Sequence, residues 1–123
     1  MEARNNRGLT LAEHSLIKWM LENGESRASL FLSQIDDAVA TLWQCPCGCA
    51  SINLTVTGRQ DPEGGMDILG DYVFGTEADL AGIFIYAQGG TLSGVEVYGL
   101  AGEAPKFLPS TDALRPFDGG SCK

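Results

Sequence analysis

The chain holds a single histidine and, from residue 60 to residue 105, no lysine or arginine at all. It has no apolar run approaching the roughly 18 residues that a membrane-spanning helix needs. Met1-Glu2-Ala3-Arg4-Asn5-Asn6-Arg7 is followed by no apolar leader segment, so no secretory signal is expected and a reducing, cytoplasmic setting is the default reading. Neither a G-x-G-x-x-G nor a phosphate-loop pattern occurs, which leaves nucleotide chemistry without a cradle. A single histidine also leaves nucleophilic catalysis short of a base. His14 falls on the expected wet face of the first helix, as an ordinary surface residue.

What is present is a sizeable apolar fraction. Of 123 residues, 44% are hydrophobic and 20% charged, enough for one folded domain spanning residues 1–123. Sixteen acids against eight Lys and Arg give a net charge of −8. A nucleic-acid backbone or an anionic membrane would repel such a chain, so neither is an expected partner. The excess is uneven, because residues 61–123 carry ten acids and three bases. Asp67, Asp71, Glu77, Asp79 and Glu96 fall inside the base-free stretch and are the candidate contacts for a basic protein partner.

The helical half comes first. Thr10 with Glu13 forms a capping box, each side chain satisfying an orphan N–H of the helix start. Ala12, Leu16 and Met20, with Ile17 and Leu21 beside them, supply an apolar face, while His14, Lys18 and Glu22 fall elsewhere. Asn23-Gly24 is expected to end the helix through a left-handed glycine. Ser26 can start a second helix whose buried stripe is Ala28, Phe31, Leu32 and Ile35. Ala38, Val39 and Leu42 could prolong it, but the preferred reading breaks at Asp36-Asp37 and makes residues 38–44 a strand.

The rest reads as β structure. Ser51 to Thr57 alternates with period two, placing Ile52, Leu54 and Val56 inward. Residues 58–65 form a loop, Asp67–Phe74 a strand interrupted by Gly70, and Ile83–Tyr86 a buried strand. Gly89-Gly90 suits a type I′ turn, whose two central positions need positive φ, leading into a strand over Leu92–Tyr98. Pro105, Pro109 and Pro116 point to an extended tail, with residues 1–8 and 117–123 frayed. The expected fold is α+β: two N-terminal helices packed on an antiparallel meander of four to five strands.

Two features invite chemistry. Cys45, Cys47 and Cys49 crowd one turn and Cys122 stands near the end. With Cys122 or His14 as a fourth ligand they could hold zinc, which takes four tetrahedral ligands. Pro46 and Gly48 equally suit a plain hairpin turn with small half-buried thiols, and neighbouring thiols could form a reversible disulfide. The expectation is a chain without a cofactor, with a zinc or redox-thiol domain as the alternative. Glu96 sits between Val95 and Val97, and alternation turns it to the face opposite them. Asp61, Glu63 and Asp67 do not make a calcium loop, because Tyr72 stands where its twelfth-position glutamate is needed.

Three blocks carry a resemblance. They are Leu9-Thr10-Leu11-Ala12-Glu13, Cys47-Gly48-Cys49-Ala50-Ser51-Ile52, and Gly90-Thr91-Leu92-Ser93-Gly94-Val95-Glu96-Val97-Tyr98 with Gly102-Glu103 after it. Together they cover about a quarter of the chain, and in them it resembles a family of small bacterial proteins. The resemblance implies a small intracellular α+β protein and brings no activity or catalytic residue. The functional expectation is a non-enzymatic acidic binding module, of the immunity or regulatory type, that recognises a basic protein.

Overall fold

The computed structural model describes residues 6–41, 46, 48–58 and 65–116. Helix α1 (Leu11–Glu22) opens on the expected capping box. The Thr10 hydroxyl accepts from the Glu13 N–H at 3.0 Å, and Glu13 Oε1 accepts from the Thr10 N–H at 2.9 Å. The same carboxylate receives both terminal nitrogens of Arg7, at 2.8 and 2.7 Å. That fork ties strand β1 (Asn6–Gly8) to the start of the helix, so residues 6–8 are paired rather than frayed. It also explains why Glu13 is buried on α1, beside Leu16, Ile17, Met20 and Leu21, while Ala12 is exposed.

The chain turns at Asn23-Gly24, but not through a left-handed glycine: among the described residues, positive φ is confined to other glycines. Gly24 is needed for closeness instead. A Cβ there would stand 2.3 Å from the carbonyl oxygen of Leu69, which accepts the next N–H, that of Glu25. The second helical segment, Ser26–Asp37, is a 3₁₀ helix rather than an α-helix. A three-residue turn aligns Ala28, Phe31 and Gln34 in one stripe, with Leu32 and Ile35 beside it, so the expected apolar face is kept at a tighter pitch.

Strands β2 (Ala38–Thr41), β3 (Ile52–Val56), β4 (Met66–Phe74), β5 (Ala81–Gln88), β6 (Thr91–Gly99) and β7 (Arg115–Pro116) complete the chain. The sheet has seven strands, in the order β1-β2-β3-β6-β5-β4-β7, all antiparallel. Four to five strands in a simple meander is therefore corrected on two points. β1 and β7 are edge strands of three and two residues, too short to show a period. And β3 pairs with β6 rather than with β4, so the β4–β5–β6 meander is inserted reversed beside the β2–β3 hairpin. Pro116 lies on the edge, where its missing N–H costs nothing. Of the expected strand 38–44, residues 38–41 are strand and residues 42–44 lie outside the described residues, as do residues 117–123.

Both helical segments pack on one face of the sheet. Leu16, Ile17, Met20 and Leu21 meet Leu69, Tyr72, Ile83, Ile85, Val95 and Val97 in a single core. The Tyr72 hydroxyl donates to the Met20 carbonyl at 2.7 Å, and burial holds that phenol up to about 12, with the charge of Asp71 adding to it. Two bulges set the registers. β4 and β5 slip between Ile68 and Gly70, which leaves Leu69 as the extra residue. β5 and β6 slip between Tyr86 and Ala87, which leaves Ser93. Gln34 holds the second slip, since its amide donates to the Gly90 carbonyl and accepts from the Leu92 N–H, each at 2.9 Å. Gly89 and Gly90 adopt φ of 59° and 83°, as the type I′ turn requires.

Candidate functional site

The other sheet face has no helix on it among the described residues. Strand alternation puts Asp71, Phe84 and Glu96 there, as direct cross-strand neighbours in one row. The row on one side is Ile68, Tyr86 and Gly94; on the other it is Val73, Gly82 and Tyr98. Each glycine faces a tyrosine. A Cβ on Gly82 would stand 2.2 Å from Cζ of Tyr98, and one on Gly94 would stand 2.5 Å from the Tyr86 hydroxyl. The missing side chains let both phenol rings lie down on the backbone of the neighbouring strand, a known device for protecting strand glycines. Phe84 stands between them, 5.9 Å from Tyr86 and 6.0 Å from Tyr98 between ring centres, tilted to both. At those spacings the rings attract edge to face.

The result is a low aromatic pavement with a carboxylate on each side. Tyr98 reaches across Gly82 and donates its hydroxyl to Asp71 Oδ1 at 3.0 Å. Burial raises the Asp71 carboxyl above its ordinary value, against the hydrogen bonds from Tyr98 and the Tyr72 backbone that favour the carboxylate. Burial and the Asp71 contact likewise hold the Tyr98 phenol in its neutral form. Tyr86 is pushed up by burial and then by the charge of Glu96. In all three groups burial on this half-dry face is the first cause of the shift. Among the described residues Arg115 is the cation on this face, at the edge opposite Val73, where its guanidinium donates to the Gly75 carbonyl.

The five acids named from the sequence do not form one patch. Asp71 and Glu96 share the aromatic face. Asp67 is held by Arg27, which also donates to the Ile68 carbonyl, so it helps close the outer edge of β4. Glu77 and Asp79 sit on the β4–β5 loop. Asp79 accepts from the N–H and hydroxyl of Thr76, both at 2.7 Å, and is held below the usual carboxylate range by those bonds.

Cys45, Cys47 and Cys122 are outside the described residues, and so are Asp61 and Glu63. The Cys49 thiol donates to the Ser51 hydroxyl at 3.2 Å. That hydroxyl accepts from the Val97 N–H at 2.8 Å and donates to the Val97 carbonyl, extending the β3–β6 pairing. Cys49 and Ser51 line a cavity of about 650 Å³ with Arg7, Glu13, Lys106 and Phe107. Among the described residues no group of three His, Cys, Asp or Glu is placed to hold a metal ion. His14, weighed as a fourth ligand, lies 3.6 Å from Asp36. No described helix is long and apolar enough to cross a membrane.

Sequence reasoning missed the aromatic face as a unit. Tyr86, Tyr98, Phe84 and Gly82 each look like ordinary strand residues, and only their register makes a surface of them. No protein-family model, curated protein or solved structure matches the chain.

Proposed function

We propose that the chain is a binding module and that the helix-free sheet face is where it takes a basic protein partner. The observation behind this reading is the row Asp71–Phe84–Glu96, a ring flanked by two carboxylates on a half-buried face. An arginine or lysine side chain laid on Phe84 gains ring–cation attraction and a carboxylate partner at once. Each contact is worth about 0.5–1 kcal/mol at an exposed site and more where water is displaced, as beside a partly buried Asp71. A partner would also cover the half-buried rings of Phe84 and Tyr98, and aromatic anchors supply much of the binding energy of protein interfaces. The base-free stretch adds long-range attraction, which speeds encounter more than it strengthens the complex.

The test is titration of the isotope-labelled chain with a lysine- and arginine-rich peptide, followed by amide and aromatic NMR shifts. Expected are shifts at Phe84, Tyr86, Glu96 and Tyr98 that weaken as salt is added. Shifts confined to the Cys49–Lys106 cavity, or none, would count against the reading.

A further inference from the structure

The spacing of the two carboxylates says which basic segment fits. Asp71 and Glu96 lie in one row, two strands apart, with Phe84 between them. Adjacent strands are about 4.8 Å apart, so the two acidic positions are separated by about 9.6 Å across the strands. Candidate ligands offer different periods. An extended strand presents same-side residues about 6.7 Å apart at i and i+2, and about 13 Å apart at i and i+4. In an α-helix, same-face residues at i and i+4 are about 6 Å apart along the axis and those at i and i+7 about 10.5 Å. A polyproline II segment has three residues per turn and rises about 3.1 Å per residue, so i and i+3 share a face about 9.3 Å apart.

We infer that the aromatic face recognises an extended, proline-containing segment in the polyproline II conformation, with basic side chains at i and i+3. This rests on the reading of that face as the site for a basic partner. The segment lies across the strands along the Asp71–Phe84–Glu96 row. One cation sits by Glu96 and the other by Asp71, and the intervening residues rest on Phe84. The low relief suits such a ligand. Tyr86 and Tyr98 lie over Gly94 and Gly82, so no side chain on those glycines stands up to block the path. Polyproline II segments are bound elsewhere in aromatic-lined grooves, because their shape is already set before binding. Charge complementarity points the same way: the row carries two acids, and among the described residues the cation of this face, Arg115, is at the edge and engaged with Gly75.

The experiment uses the full chain and fluorescein-labelled peptides, with dissociation constants from anisotropy at low salt. Two arginines are separated by one, two or three prolines, and a single-arginine peptide is the reference. The expected result is about fivefold tighter binding for the two-proline spacing than for the other two, the size of one added charge contact at a half-exposed site. Glu96→Gln and Asp71→Asn, each checked for folding by circular dichroism, should each reduce that peptide to the level of the reference. Equal affinity for all three spacings overturns the inference while leaving the basic-partner reading in place. So does equal or tighter binding of a helical peptide with arginines seven residues apart. If no arginine peptide binds at all, the reading itself fails and the inference with it. A chain that sediments as a dimer, and becomes a monomer on Glu96→Lys, also overturns the inference, because a second copy then occupies the face.

Discussion

Gly82→Ala puts the design of the aromatic face to a quantitative test. The new methyl would stand 2.2 Å from Cζ, 2.4 Å from the hydroxyl oxygen and 2.5 Å from Cε2 of Tyr98. Carbon atoms in contact sit about 3.5–4.0 Å apart, so the ring must rise by more than 1 Å. The ring is the far end of a rotatable side chain and can do this. Its hydroxyl then leaves Asp71, and its packing on Phe84 is disturbed. Overpacking costs typically about 1–3 kcal/mol, and a lost hydrogen bond about 1 kcal/mol. Alanine in place of glycine returns about 0.5–1 kcal/mol by restricting the unfolded chain. The net expectation is a loss of about 1–3.5 kcal/mol. With a urea dependence of about 1–3 kcal/mol per molar, the unfolding midpoint drops by about half a molar or more. The cost belongs to the glycine–tyrosine pair, so in a Tyr98→Ala background Gly82→Ala should be neutral or stabilising. An unchanged midpoint in the parent, or the same loss in both backgrounds, would refute the reasoning.

Other changes probe the supports of the sheet. Arg7 and Thr10 hold the Glu13 carboxyl below its ordinary value, so its contribution is complete above the unfolded pKa of about 4.3 and fades as pH falls through the lowered folded value. Glu13→Gln should cost about 1 kcal/mol at pH 7, Arg7 being partly solvated, and flatten the acid limb of a stability–pH profile from urea melts; an unaltered acid limb would count against the clamp. Gln34→Leu leaves the buried Leu92 N–H without its acceptor, and should lower stability by about 1–2 kcal/mol with faster amide exchange at Leu92. Ser51→Ala leaves the Val97 N–H unpaired on the side where β3 joins β6, and about 1–2 kcal/mol should be lost in thermal melts. Retention of the parent melting temperature would show that Ser51 does not carry that junction.

The parts of the fold that a sequence can reveal are those written in local period and local caps. The capping box of α1, the break at Asp36-Asp37, the alternation of Ile52, Leu54 and Val56, and the Gly89-Gly90 turn were all legible, because each depends on residues a few positions apart. Long-range choices were not. Nothing in β3 says that it pairs with β6. The 3₁₀ pitch of Ser26–Asp37 differs from an α-helix by less than the spread of its apolar residues can show. Edge strands of two and three residues carry no period.

The candidate site hid for a related reason. Counting back from the Gly89-Gly90 turn pairs Gln88 with Thr91 and Ala87 with Leu92. Continued without interruption, that count would set Phe84 against Val95 and Gly82 against Val97. The slip at Ser93 shifts the register by one and brings Phe84 to Glu96 and Gly82 to Tyr98. A bulge of one residue is therefore what assembles the acids and rings on one face. Its support, Gln34, lies more than fifty residues away in the chain. Glu96 was placed correctly by alternation alone, as a residue opposite Val95 and Val97, but its partners were not. Acidic composition pointed to the sheet half without separating Asp71 and Glu96 from Asp67, Glu77 and Asp79, which lie elsewhere and in two cases are engaged by Arg27 and Thr76.

The aromatic face is tested most directly by an NMR titration of the full chain with the two-arginine, two-proline peptide, run at low and at high salt. Perturbations should centre on Phe84, Tyr98 and Glu96, shrink at high salt and vanish in Glu96→Gln. Binding that leaves these residues unmoved, or that is indifferent to both salt and Glu96, would contradict the face's role as the binding site.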